Sequence, residues 1–134
     1  MKRAVVTTTG LAGAATAEFV VATLPGVPLP SEAGGVLLSH VVVDGFINYS
    51  TGTLTTLVTV RVRRNTLTGT LVGPAQAVTV AASTTYAIPV AADDPIVAAT
   101  PPVIPGQIYV VTLQQTSTGT AGTVNYAVVT ATTS

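Results

Sequence analysis

Hydrophobic and polar positions alternate with a period of two through much of this 134-residue chain. The clearest case runs from Thr55 to Arg64, where Val58, Val60 and Val62 fall on one side and Leu57, Thr59, Arg61 and Arg63 on the other. Successive side chains of an extended strand point to opposite faces, so this alternation predicts a half-buried strand with a valine face toward the core. From Gly35 onward similar stretches follow one another: Val36 to Val43, Thr70 to Val72, Gln76 to Ala82, Thr85 to Val90, Gln107 to Gln115 and Thr123 to Ala131. Turn signals separate them. Asp44-Gly45 reads as a two-residue turn, or as a bulge that lets the strand run on through Phe46, Ile47 and Tyr49. Asn65 to Gly69 fits a hairpin connection with Gly69 available for positive φ, and STGTAG between the last two strands is the clearest hairpin signal. Gly73-Pro74 reads as a break, and Pro89 marks an edge strand or a strand end. Ala91 to Gly106, which contains Asp93-Asp94-Pro95 and three further prolines, reads as a loop. There is no helical period. Seven to nine short strands predict an all-β, antiparallel β-sandwich, in first place a jelly roll, with an immunoglobulin-like sandwich as the alternative.

Residues 1 to 34 differ from residues 35 to 134, which form the sandwich domain. Ala4 to Thr9 and Thr16 to Thr23 each have strand character, but glycines lie between them and LPGVPLP (Leu24 to Pro30) follows. Pro25, Pro28 and Pro30 favour stiff, extended backbone that cannot donate ladder hydrogen bonds. Two readings stand side by side: terminal strands with a Pro-rich linker, or an extended N-terminal arm lying on a neighbouring subunit.

Composition sharpens this picture. Thr occurs 25 times, Val 23 and Ala 19, so half the chain is three small or β-branched types that suit packed, pleated strands. Charged residues make up 7% and cancel to zero, against about a quarter in an ordinary soluble domain. The surface must then be neutral and polar or covered by other subunits, and near-zero net charge favours self-association. A balance of five basic and five acidic residues lacks the polyelectrolyte signature of nucleic-acid binding. No apolar run reaches the length of a membrane-spanning helix, so no membrane partner is expected. MKR before an Ala-rich stretch has the outline of a secretory signal, but Thr7 to Thr9, Gly10 and Gly13 interrupt any apolar core.

Candidate chemistry is sparse. His40 is the single histidine and cysteine is absent; without GxSxG, HExxH, a phosphate loop or a dinucleotide fingerprint, no enzyme, cofactor or metal is expected. His40 reads as a structural histidine, and Asp93-Asp94 as turn-forming residues rather than calcium ligands. Arg61, Arg63 and Arg64 admit a solvated strand face, a salt-bridged subunit interface, or a glycan or nucleic-acid contact. Candidate interface residues are therefore Lys2, Arg3, Phe19, Pro25, Pro28, Pro30, Arg61, Arg63 and Arg64.

The stretch TLVTVRVRRNTLTGTLVG (Thr56 to Gly73), with GQIYVVTLQQTSTGTAGTVNYAVVTA (Gly106 to Ala131) after a Pro-rich loop, resembles the small Thr/Val-rich head decoration, or cement, proteins of tailed bacteriophages. The resemblance covers roughly Gly35 to the C-terminus and lies in pattern rather than in a diagnostic motif. It implies a β-rich homo-oligomer, a trimer, made in the host cytoplasm and placed on the capsid surface of the virion, with the major capsid protein as partner. From other classes stand a trimeric fibre or glycan-binding module, which would draw on Tyr49, Tyr86, Tyr109 and Tyr126, and a self-assembling coat or pilus-like subunit.

Overall fold

A computed structural model of the chain describes residues 2–7, 17–27, 40–95, 107–116 and 122–133. These residues form eight strands in two four-stranded antiparallel sheets, a β-sandwich. The strands are β1 (Lys2–Thr7), β2 (Phe19–Val27), β3 (His40–Ser50), β4 (Thr56–Arg64), β5 (Leu71–Val80), β6 (Thr85–Pro95), β7 (Gln107–Gln115) and β8 (Thr123–Thr133). One sheet has the order β1-β8-β3-β6 and the other β2-β7-β4-β5. The partners nest: β1 pairs with β8, β2 with β7, β3 with β6 and β4 with β5, all antiparallel. Two further ladders, β3 with β8 and β4 with β7, complete the sheets.

The two-residue period builds the core directly. Val58, Val60 and Val62 of β4, Val41, Val43, Ile47 and Tyr49 of β3, and Tyr109, Val111 and Leu113 of β7 all point between the sheets and are buried. Strand β3 runs through Asp44-Gly45 without a turn and without a register shift there. Gly45 has a φ of 153°, and a Cβ on it would lie 2.0 Å from the carbonyl oxygen of Val128. The glycine is needed for close approach of β8, not for chain reversal.

Several local signals resolve in unexpected ways. Residues 2–7 and 19–27 are hydrogen-bonded outer strands of the sandwich itself, so terminal strands rather than an arm describe them. STGTAG does not join a hairpin, because β7 and β8 lie in different sheets. Only β4 and β5 are both consecutive and paired, and Asn65, not Gly69, takes the positive φ (68°) in their connection. Gly69 serves close packing, since a Cβ there would meet the Arg64 carbonyl oxygen at 1.7 Å. Gly73-Pro74 does not end β5; it sits within a register irregularity between Val60 and Val62 on the partner, with Gly73 at φ 67°. Asp93 and Asp94 are not in a loop, because β6 continues to Pro95. The facing edges β5 and β6 carry Pro74 and Pro89, which withhold N–H donors and blunt further strand addition.

Candidate functional site

Arg61 and Arg63 leave the outer face of sheet β2-β7-β4-β5, as their parity in β4 requires. The carboxylate of Glu18, just ahead of β2, reaches over β7 to meet them. Arg63 donates from Nε (2.7 Å) and Nη2 (3.0 Å) to the two Glu18 oxygens, and from Nη1 to the Gly69 carbonyl (3.0 Å). Arg61 donates to Gln114 Oε1 at 2.8 Å and stands 3.6 Å from Glu18. Thr112 donates its hydroxyl to the same carboxylate. Thr112 and Val110 are buried on this outer face. The Arg63 hydrogen bonds hold the Glu18 carboxyl below its usual range against the opposing effect of burial, with Thr112 adding to the lowering. The same pairing raises the Arg63 guanidinium.

Arg64 has the opposite parity and points inward. It is 4% exposed and Asp94 3% exposed, which removes Arg64 from the candidate outer surface. Arg64 donates from Nε (2.8 Å) and Nη2 (2.5 Å) to the two oxygens of Asp94, and Tyr109 Oη donates to Asp94 Oδ2 at 2.7 Å. Arg64 and Tyr109 are register partners on β4 and β7, while Asp94 comes from β6 of the other sheet, so the cluster bridges the sandwich near one end. Hydrogen bonding to Asp94 raises the Arg64 guanidinium; burial, then the bond to Asp94, pushes the Tyr109 phenol far up. Next to it Gln107 donates to Asn65 Oδ1 at 2.7 Å.

Toward the other end lies a second, uncharged bridge. Tyr49 Oη of β3 donates to Gln115 Oε1 of β7 at 2.6 Å, and both residues are buried. Burial raises the Tyr49 phenol. Among the described residues Gln115 Nε2 has no hydrogen-bond partner. Gly122 is required beside this pair, because a Cβ there would lie 2.0 Å from Tyr49 Oη.

The remaining sequence candidates scatter. Lys2 and Arg3 are in β1, with their backbones opposite Ala131 and Thr130. Phe19 is half-buried against the core rather than offered outward. Pro25 is in β2 where its register with β7 is irregular, and Pro28 and Pro30 lie outside the described residues. His40 pairs by backbone with Pro95; the reading of its side chain falls outside the described residues. Among the described residues no three His, Cys, Asp or Glu side chains cluster in a metal-binding arrangement, and no helix is long and apolar enough to cross a membrane. An open, mainly apolar groove runs between β5 and β6, lined by Val42, Gly73, Pro74, Ala91, Ala92 and Asp93.

Sequence reasoning missed Glu18, Asp94 and Gln115 as partners. For Arg64 a signal existed: it continues the Val58, Val60, Val62 parity. For Glu18, Asp94 and Gln115 none did, because their partners are 45, 30 and 66 residues away. Compared with known proteins, the chain matches no protein-family model, no curated protein and no solved structure.

Proposed function

We propose that the sandwich is a jelly roll and serves as a structural protein of a virion, binding the outside of a phage capsid as a homo-oligomer, in first place a trimer. On this reading it reinforces contacts between major capsid proteins. The observation that carries the proposal is the strand order β1-β8-β3-β6 facing β2-β7-β4-β5. It is what results when a ribbon of four nested antiparallel pairs rolls up, the two-sheet architecture found in viral capsid and lectin domains. A fold of this kind hosts many functions, so the weight moves to the surfaces. Both broad faces are low in charge and rich in Thr, Ala and Val, suited to burial against other subunits through neutral hydrogen bonds. The polar groups of the interior are committed to bridging the sheets, which supports a structural rather than a catalytic role.

A protein that binds only the assembled shell stabilises it by mass action once its concentration exceeds the dissociation constant. The test is co-sedimentation with purified phage capsids, followed by thermal rupture of decorated and bare shells. Decorated shells should rupture at higher temperature. Equal rupture temperatures with bound protein present would end the proposal.

A further inference from the structure

Strand β8 breaks its own alternation once. Val124 and Ala127 are both buried between the sheets, three positions apart, so the two residues between them, Asn125 and Tyr126, both face outward. The register with β3 slips at this point: Asn48 is opposite Tyr126 and Tyr49 is opposite Val124, which leaves Asn125 as the extra residue of a bulge. A bulge gives up ladder pairing and re-aims a side chain. Here it turns an amide and an aromatic ring onto one patch of the outer face of sheet β1-β8-β3-β6.

Both side chains are held by neighbours on β3. Phe46 packs edge-to-face on Tyr126, with ring centroids 5.9 Å apart and planes at 78°, and Tyr126 remains 38% exposed. Asn125 Nδ2 donates to Asn48 Oδ1 at 2.7 Å and to Ser50 Oγ at 2.8 Å, and Ser50 Oγ lies 2.9 Å from Thr85 Oγ1 on β6. The network crosses three strands and spends both amide protons of Asn125. An asparagine carries two donors and an acceptor with two lone pairs. Among the described residues Asn125 Oδ1 and Asn48 Nδ2 have no hydrogen-bond partner, and both residues are only half-buried. An acceptor and a donor thus stand unspent on adjacent strands, beside an exposed ring. The other tyrosines are placed differently: Tyr49 and Tyr109 are buried, and Tyr86 has the parity of buried Ile88 and Val90.

We propose that this patch is a subsite for a neutral sugar, one pyranose ring of a glycan. Vicinal hydroxyls each donate and accept, so an adjacent pair gives one hydrogen bond to Asn125 Oδ1 and takes one from Asn48 Nδ2. The C–H face of the same sugar lies on Tyr126, which offers rigid, amphipathic contact area at little entropic cost. Phe46, Asn48, Ser50, Thr85, Asn125 and Tyr126 carry no charge, which suits hydroxyls rather than phosphate or carboxylate. A single ring on such a site binds with a dissociation constant on the order of millimolar. The inference does not depend on the capsid reading above.

Titration of the isotope-labelled full chain with the methyl glycosides of glucose, galactose, mannose and N-acetylglucosamine, followed by nuclear magnetic resonance, tests it. At least one of these sugars should shift the side-chain amide signals of Asn48 and Asn125 saturably. Tyr126→Ala should weaken that binding about tenfold or more, whereas Tyr126→Phe, which keeps the ring, should stay within about threefold of the wild type. Asn48→Ala should weaken it about fivefold. Circular dichroism melts separate loss of binding from loss of fold, and the wild-type titration needs no variant. The inference would be overturned by the absence of a saturable shift with all four sugars, by shifts confined to another part of the molecule, by unchanged affinity in Tyr126→Ala, or by a Tyr126→Phe variant as weak as Tyr126→Ala. Capsid co-sedimentation is scored separately: a chain blind to all four sugars whose shell binding is lost in Tyr126→Ala would assign the patch to a protein contact instead.

Discussion

The two ends of the sandwich are both crossed by buried polar groups, on opposite terms. Near one end a full ion pair, Arg64 with Asp94, is closed by two charge-assisted hydrogen bonds and a third from Tyr109. At the other a single neutral bond joins Tyr49 to Gln115 and leaves the Gln115 amide nitrogen without a partner among the described residues. Strand β7 supplies Tyr109 to one and Gln115 to the other, six residues apart on the same inward row. The difference follows from the expense of desolvation. A buried charge without compensation is so unfavourable that it persists only where both partners are saturated. A neutral amide with one unmet donor costs about 1–3 kcal/mol, which a 134-residue domain can carry.

The largest test removes the anion. Asp94→Asn should destabilise the fold by about 3–5 kcal/mol, because Arg64 stays buried without its counter-charge. The change would be read from the midpoint of urea unfolding. Replacing both partners with apolar residues, Arg64→Met with Asp94→Leu, should recover most of that loss. A double variant as unstable as Asp94→Asn would show that the pair contributes net stability rather than mutual compensation.

Removing the third bond is milder. Tyr109→Phe should cost about 1.5–3 kcal/mol at neutral pH, the range for a hydrogen bond to a charged group. It should also change the alkaline limb. The folded Tyr109 phenol is raised above its ordinary value of about 10, so its contribution is complete below pH 10 and is lost as the pH climbs from there toward the folded value. The variant should flatten the fall in stability above pH 10. An unchanged alkaline slope would mean that other groups govern it.

At the neutral bridge the expected sign reverses. Tyr49→Phe combined with Gln115→Leu deletes the bond together with the orphaned donor, and should leave stability equal to or about 1 kcal/mol above the wild type. Loss of more than about 2 kcal/mol would show that this end is specified as tightly as the other.

The smallest effect belongs to the half-exposed cluster on the outer face, where solvent screens what the interior does not. Glu18 is lowered by Arg63, so its stabilisation is present above the ordinary glutamate range and disappears as the pH falls through the lowered value. Glu18→Gln should cost about 1 kcal/mol or less at neutral pH, as exposed pairs do. It should also remove a comparable part of the acid-side slope, visible in melting temperatures between pH 6 and pH 3.

How far the sequence reached can be followed along β4. Its two-residue period located the strand, its buried valines and the outward course of Arg61 and Arg63, because strand geometry ties parity to face at every step. The same rule carried Arg64 inward, yet grouping it with its basic neighbours hid that. Pro89 correctly marked an edge strand, since a missing donor is a local property. Chain reversals were less legible. STGTAG has hairpin composition, but its flanking strands enter opposite sheets, and a short link between sheets has the same residues as one within a sheet. At Gly69 a glycine required by a neighbouring backbone was read as one available for positive φ, and at Gly45 the run-on strand, the second of two readings, is the one that forms.

The alternation of apolar and polar residues by itself determined that this chain forms strands, which side of β4 is buried and, through its scarcity of charge, that its surface is nearly neutral. Those properties are local: they depend on backbone geometry and on the transfer of side chains out of water, and each can be read within a few residues. Only the tertiary structure decided which strands pair, that the first two strands are part of the sandwich, and that Arg64 and Asp94 form a buried bridge while Glu18, Arg61 and Arg63 gather on one outer face. Those outcomes depend on which residues 30 to 94 positions apart come into contact, and the energy of a charge is set by the partner it finds there.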